Sequence, residues 1–142
     1  MKNYFELTEL LHSVTAIEND FENLPTWEIV EHLKELRDEI LNPLREAWGS
    51  PIIVTSGYRC KRLNDMLVNA SKTSVHMIGY AADIVPKNGK IDEFINFCKE
   101  WFKDKTNYDQ VIIEYSGQSR WIHIGLKSNG GLQRGLLFKM VI

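Results

Sequence analysis

The sequence predicts an α+β fold, with a small antiparallel-rich sheet and helices packed on it, and three observations carry that prediction. Apolar residues recur at spacings of three and four over residues 27–48 and again over 91–102, the mark of helices with one buried stripe. A short β-branched run at 51–55, and a second short run at 81–85 opened by Gly79 and stopped by Pro86, read as strands. Two alternating runs, 110–115 and 120–125, flank a short Gly-containing turn, as in a hairpin.

The chain opens with a short amphipathic stretch over residues 6–12. Asn23-Leu24-Pro25 forms a turn, and Thr26 is placed as the N-cap of the first long helix, with Glu28 favourable in its first turn. Val30, Leu33, Leu36, Ile40, Leu41 and Leu44 make the stripe of that helix. Pro43 must kink or restart it, because proline lacks a backbone donor and crowds the preceding turn. Gly49-Ser50-Pro51 ends it. The strand at 51–55 delivers Ser56-Gly57-Tyr58-Arg59, and a second helix is expected over 60–69, then a loop over 69–73. Gly79 opens the strand at 81–85, which Pro86 stops. Ile91, Phe94, Ile95, Cys98, Trp101 and Phe102 line one face of a third helix, and the hairpin, with 116–119 as its loop, closes the fold.

At 142 residues, 44% hydrophobic and 25% charged, the chain reads as one domain over residues 1–142 with enough apolar material for a core. A net charge of −2 argues against a non-specific nucleic-acid binder, which normally shows a basic excess. Cys60 and Cys98 have no paired spacing and read as free thiols. The N-terminus lacks an apolar signal region, and no apolar run approaches the ~20 residues of a membrane span. Synthesis in the cytoplasm follows as the expectation, with no membrane span and a monomeric chain.

Four residues carry the chemistry: His76, Asp83, Glu114 and His123. Alternate side chains of a strand share a face. Burying Val111, Ile113 and Tyr115 with Ile122 and Ile124 therefore leaves Ile112, Glu114, Trp121 and His123 together on the other side, given an even-numbered loop. Asp83 sits among apolar neighbours on the 81–85 strand, approached through the small residues Gly79 and Ala81, and His76 lies seven residues earlier. Two imidazoles and a carboxylate can hold a zinc ion with one position open for water, whose pKa falls to about 7. Glu114 can then accept the water proton and pass it to a leaving amine. Arg59 at a strand end can bind a substrate carboxylate or the oxyanion. Spacing alone also admits a packed, hydrogen-bonded histidine at 123. His12 and His32 read as polar-face residues, and Lys61 and Arg62 as a solvated helix end.

The motifs Ser56-Gly57-Tyr58-Arg59, Ser74-x-His76-x-x-Gly79-x-Ala81-x-Asp83 and Trp121-x-His123, in that order, resemble the M15 family of zinc D-Ala-D-Ala carboxypeptidases and peptidoglycan endopeptidases, and within it the phage- and prophage-type branch. The similarity spans roughly residues 8–125. It implies the D-Ala-D-Ala carboxypeptidase/hedgehog-like fold, Zn2+ as cofactor on His76, Asp83 and His123, Arg59 binding substrate and transition state, and Ser74 lining the site. It implies hydrolysis of an amide bond in a peptidoglycan stem peptide, with action on the cell wall once the protein is delivered or released. Other branches place the catalytic acid three residues before the last His, where this chain has Arg120; here the strand from Asp109 to Glu114 makes Glu114 the base. The alternative is a metal-binding module without catalysis that recognises cell-wall peptide or a partner protein, and Glu114 discriminates the two. Ser-His-Asp hydrolysis through Ser74, His76 and Asp83 is set aside, since no nucleophile elbow surrounds Ser74.

Overall fold

Thr26 Oγ1 accepts the Ile29 amide at 3.3 Å and starts the long helical segment, as its residue type predicts. That segment runs as α2 (Trp27–Leu36), a single wide π-turn (Arg37–Leu41) and α3 (Asn42–Trp48), after a short α1 (Val14–Glu18). The wide turn is the structural answer to Pro43: it routes the Asn42 amide to the Arg37 carbonyl and lets the proline enter the first turn of α3, where its missing donor costs nothing. Leu33, Leu36, Ile40, Leu41 and Leu44 stay on one buried face throughout, and Gly49 at φ +79° ends the helix.

The computed structural model describes residues 2–68, 70–127 and 131–142. Its remaining elements are β1 (Ile52–Ser56), α4 (Lys61–Met66), β2 (Ala81–Pro86), α5 (Ile91–Phe102), β3 (Gln110–Ser116), β4 (Ser119–Gly125) and β5 (Leu136–Val141). Together they bear out the α+β expectation. The amphipathic stretch at 6–12 is a 3₁₀ turn over Leu7–Leu10, and the second helix is shorter than its expected 60–69, with Asn69 outside the described residues.

The strands form one sheet in the order β1-β2-β4-β3-β5, antiparallel except for the β3–β5 pair. Two expectations are corrected here. The hairpin loop has two residues, Gly117 and Gln118, because Ser116 and Ser119 are themselves paired. Both loop lengths are even, so the facing of the side chains is unchanged. The sheet also does not end at the hairpin: β5 returns parallel to β3. Its pairing partner is reached only through a crossover, which local alternation does not reveal.

One face of the sheet carries Ala82, Ile84, Val111, Ile113, Ile122 and Ile124 into the core beneath α2, α3 and α5. Phe94, Ile95, Cys98 and Phe102 of α5 bury against them. Cys60 and Cys98 are both free, as expected, and burial raises the Cys98 thiol far above its ordinary value. Lys61 pairs with Asp65 at 2.6 Å on the surface of α4. No helix among the described residues is long and apolar enough to cross a membrane.

Asp109 anchors β5. Its carboxylate takes both forks of Arg134, at 2.9 and 2.8 Å, and the Arg134 amide at 3.0 Å, while its carbonyl receives the Leu136 amide at 3.0 Å. These bonds to Arg134 hold the Asp109 carboxyl below its ordinary value against the opposing effect of burial. A depressed folded value means that the stabilisation is fully present above the ordinary carboxylate range and is lost as pH falls through the folded value. Asp109→Asn should therefore speed amide hydrogen exchange in β5 at neutral pH while leaving β2 and β4 protected. In wild type the same loss should appear only in acid.

Candidate metal centre

His76, Asp83 and His123 come together on the face of the sheet away from α2, α3 and α5. Antiparallel pairing sets Asp83 directly opposite His123, and His123 opposite Ile112, so these side chains form a row across β2, β4 and β3. His76 enters from outside the sheet on a 3₁₀ turn (Val75–Ile78), which Ser74 caps by accepting the His76 amide at 3.2 Å and Gly79 closes at φ +82°. All three side chains are buried, and one ligand atom from each lies within 4.8 Å of the others.

The hydrogen bonds set which atoms face inward. His76 Nδ1 lies 2.7 Å from the Gly57 carbonyl, which can only accept, so Nδ1 carries the proton and Nε2 presents its lone pair to the site. That Nε2 is 3.3 Å from Asp83 Oδ1, and His123 Nδ1 is 2.9 Å from the same oxygen. Burial lowers His76 from its usual value, which keeps the imidazole neutral and able to ligate, although Asp83 opposes the shift. Burial alone would raise Asp83; its close contacts with His76 and His123 outweigh it and lower the carboxyl below its ordinary value. Two imidazole nitrogens and a carboxylate oxygen brought this close, with a cleft beside them, are a donor set that fits a metal ion.

Glu114 stands beside this cluster, Oε1 3.7 Å from His123 Nδ1, so the face argument made from alternation holds. Burial raises its carboxyl above the ordinary value, Asp83 adds to the shift, and His123 and Arg59 oppose it. The Trp121 indole, cross-strand from Glu114, is near enough to favour its ionised form but makes no hydrogen bond of proper geometry. Arg120 is on the opposite face, paired with Asp92 in the first turn of α5. A residue three before His123 on a straight strand must point away from it.

Arg59 is more committed than the sequence implies. Its three nitrogens reach Ser56 Oγ (3.0 Å), Asn64 Oδ1 (3.4 Å) and Asp83 Oδ2 (3.3 Å), so it steadies the non-shared oxygen of Asp83 while lining the cleft. Burial lowers its value, with Asp83 and Glu114 opposing, and a guanidinium remains charged throughout. Ser74 also lines the cleft. Its hydroxyl caps the turn and His76 Nδ1 is held by Gly57, so no Ser-His-Asp relay is assembled.

Two supporting residues escaped the sequence reading. His32 is not a solvated polar-face residue: its ring stacks on Tyr80 at 4.1 Å and Nδ1 reaches the Ile78 carbonyl at 2.6 Å, bracing the turn that carries His76. Tyr80 in turn donates to Glu35 at 2.5 Å. Asn23 clasps the Arg59 loop, donating to the Leu11 and Tyr58 carbonyls and accepting the Cys60 amide at 2.8 Å. The signal for Asn23 is an amide side chain just before Leu24-Pro25 in a turn; for His32 only its spacing of three before Glu35 hints at a shared face. His12 is exposed, as expected.

A buried carboxylate between two histidines, with a second carboxylate at the edge of an open cleft, is an arrangement that can hold a metal ion beside a proton acceptor. The family model of Peptidase M15 matches residues 3–125, and the chain belongs to that peptidase family, with a peptide as its substrate. No curated protein matches the chain.

Gly57 gives the sharpest test of how the site is held. A Cβ there would lie 2.2 Å from the Leu10 carbonyl oxygen, while the next amide, Tyr58, donates to that oxygen at 2.8 Å. Gly57→Ala should cost roughly 1–3 kcal/mol or more of stability, because backbone and not a flexible side chain must move. It should also weaken metal binding by displacing the carbonyl that orients His76, read by thermal unfolding and metal titration of the same variant.

Proposed function

We propose that this protein is a zinc-dependent peptidase that hydrolyses an amide bond in peptidoglycan stem peptides, and that residues 1–142 act as one such domain. The observation that carries catalysis is the Glu114 carboxylate, 3.7 Å from the His123 nitrogen that faces the ligand cluster and open to the same cleft. His76, Asp83 and His123 would hold the ion, and two nitrogens with a carboxylate oxygen are a donor set that suits zinc. When bound, it makes water nucleophilic at neutral pH and polarises the scissile carbonyl.

The chain's own residues do the rest. Glu114 accepts the proton of the attacking water and delivers it to the leaving amine nitrogen. Arg59, anchored by Ser56 and Asn64, presents its charge to the substrate carboxylate or the developing oxyanion. Ser74 lines the approach beside His76. The order and spacing of Ser56-Gly57-Tyr58-Arg59, the His76–Asp83 motif and Trp121-x-His123 support the phage- and prophage-type branch, and with it endopeptidase over carboxypeptidase action. A monomer made in the cytoplasm and released onto the wall, with no nucleic-acid partner, completes this reading.

Incubation with purified peptidoglycan, with and without chelator, followed by mass analysis of the fragments, tests catalysis and the bond cleaved together. Purified protein should carry about one zinc. Glu114→Gln should keep the metal and lose hydrolysis by about 10²–10⁴-fold, the usual worth of a general base. Activity retained in that variant would move the base elsewhere, and a wild type that takes up no metal at neutral pH would overturn the proposal.

A further inference from the structure

The strand order arranges the cleft as a line of unlike groups. Arg59 stands beyond the end of β1, Asp83 is on β2, His123 on β4, Glu114 on β3, and Met140, registered opposite Glu114, on β5. Neighbouring strands are about 4.8 Å apart, so β2 to β5 spans roughly 14 Å, about four residues of extended peptide at ~3.3–3.6 Å each. The cleft of about 480 Å³ therefore continues past Glu114 by one further strand, and there its lining changes character. Met140, Val141 and Ile142 form that end, all of them exposed to solvent. They are continuous with the ligand cluster in one cavity, yet they lie beyond residue 125, where the family match ends. Their strand is held in place by the Asp109–Arg134 pair and by the Ile142 amide, which donates to the Tyr115 carbonyl at 2.7 Å.

We infer that β5 is a specificity wall: Met140, with Ile142, receives an apolar side chain of the peptide on the N-terminal side of the cleaved bond. The inference rests on the peptidase reading above. Direction follows from charge: Arg59, the cation at the far end of the line, suits a side-chain or terminal carboxylate on the portion C-terminal to the cleaved bond, which leaves the N-terminal portion over β5. A charged side chain there would meet apolar groups, with no counter-ion among the described residues that line that end, whereas an aliphatic one removes exposed apolar surface from water on both partners. Met140 suits this task because its unbranched thioether adapts to different side-chain shapes.

The test uses short peptides that differ only in the residue N-terminal to the cleaved bond: alanine, leucine or glutamate. Zinc-loaded wild type should favour alanine and leucine over glutamate by about tenfold or more in kcat/KM, the scale of one apolar contact. Met140→Lys should reverse the order toward glutamate at unchanged zinc content. Met140→Ala, the gentler variant, should flatten the preference mainly through KM. An unaltered preference in both variants overturns the wall and leaves the peptidase reading standing. Should wild type cleave none of the peptides, the Met140 methyl resonance in Glu114→Gln protein decides the matter. A saturable shift with the alanine or leucine peptide, absent with glutamate, supports the wall even as catalysis fails, and an unmoved resonance overturns it.

Discussion

Antiparallel register between β2 and β4 sets Asp83 opposite His123, and every other feature of the site is arranged around that pair. Because side chains alternate along a strand, a slip of one residue would send His123 into the core and Ile122 or Ile124 into the cleft. The apolar face prevents such a slip: Ile84, Ile122, Ile124, Val111 and Ile113 are buried together beneath α5 and the α2–α3 segment. Core burial and ligand placement are thus one constraint on two faces of the same strands. This also explains why Glu114 reaches the cluster from β3 and why Arg120 cannot reach it from β4.

His76 solves a different problem, since it belongs to no strand. Its turn is held from three directions: the Gly57 carbonyl takes Nδ1–H, the Arg59 amide donates to the His76 carbonyl at 3.0 Å, and His32 reaches the Ile78 carbonyl while stacking on Tyr80. A ligand outside regular structure needs such bracing, because a few tenths of an ångström of drift at a site of this kind matters for binding and chemistry. Gly57 is where the bracing is tightest. Only a residue without Cβ lets the loop approach the Leu10 carbonyl closely enough for Tyr58 to bond to it.

Electrostatics and lining divide the cleft along its length. Buried charge is compensated near the cluster, where Asp83 is shared among two histidines and Arg59. Beyond Glu114 the lining becomes apolar on β5, an edge strand whose position depends on Asp109 and on its parallel pairing with β3. The strand beyond the family match therefore shapes the same cleft as the motifs within it.

The order of helices and strands, the Thr26 cap, the Gly49 stop, the free cysteines and the sharing of one face by Glu114 and His123 were legible in the sequence. Each depends on local periodicity or on the conformational limits of single residues. The motif residues Arg59, His76, Asp83, Glu114 and His123 could be named from it as well. The structure decided what those signals leave open: the π-turn before Pro43, the two-residue hairpin loop, the full engagement of Arg59, the bracing by Asn23 and His32, and the presence of β5. These involve partners far apart in the chain, and a crossover connection or a stacking contact between residues 32 and 80 leaves no period in the sequence. Residue type and spacing determined which groups this protein has for its chemistry, and long-range pairing decided which atoms of those groups meet.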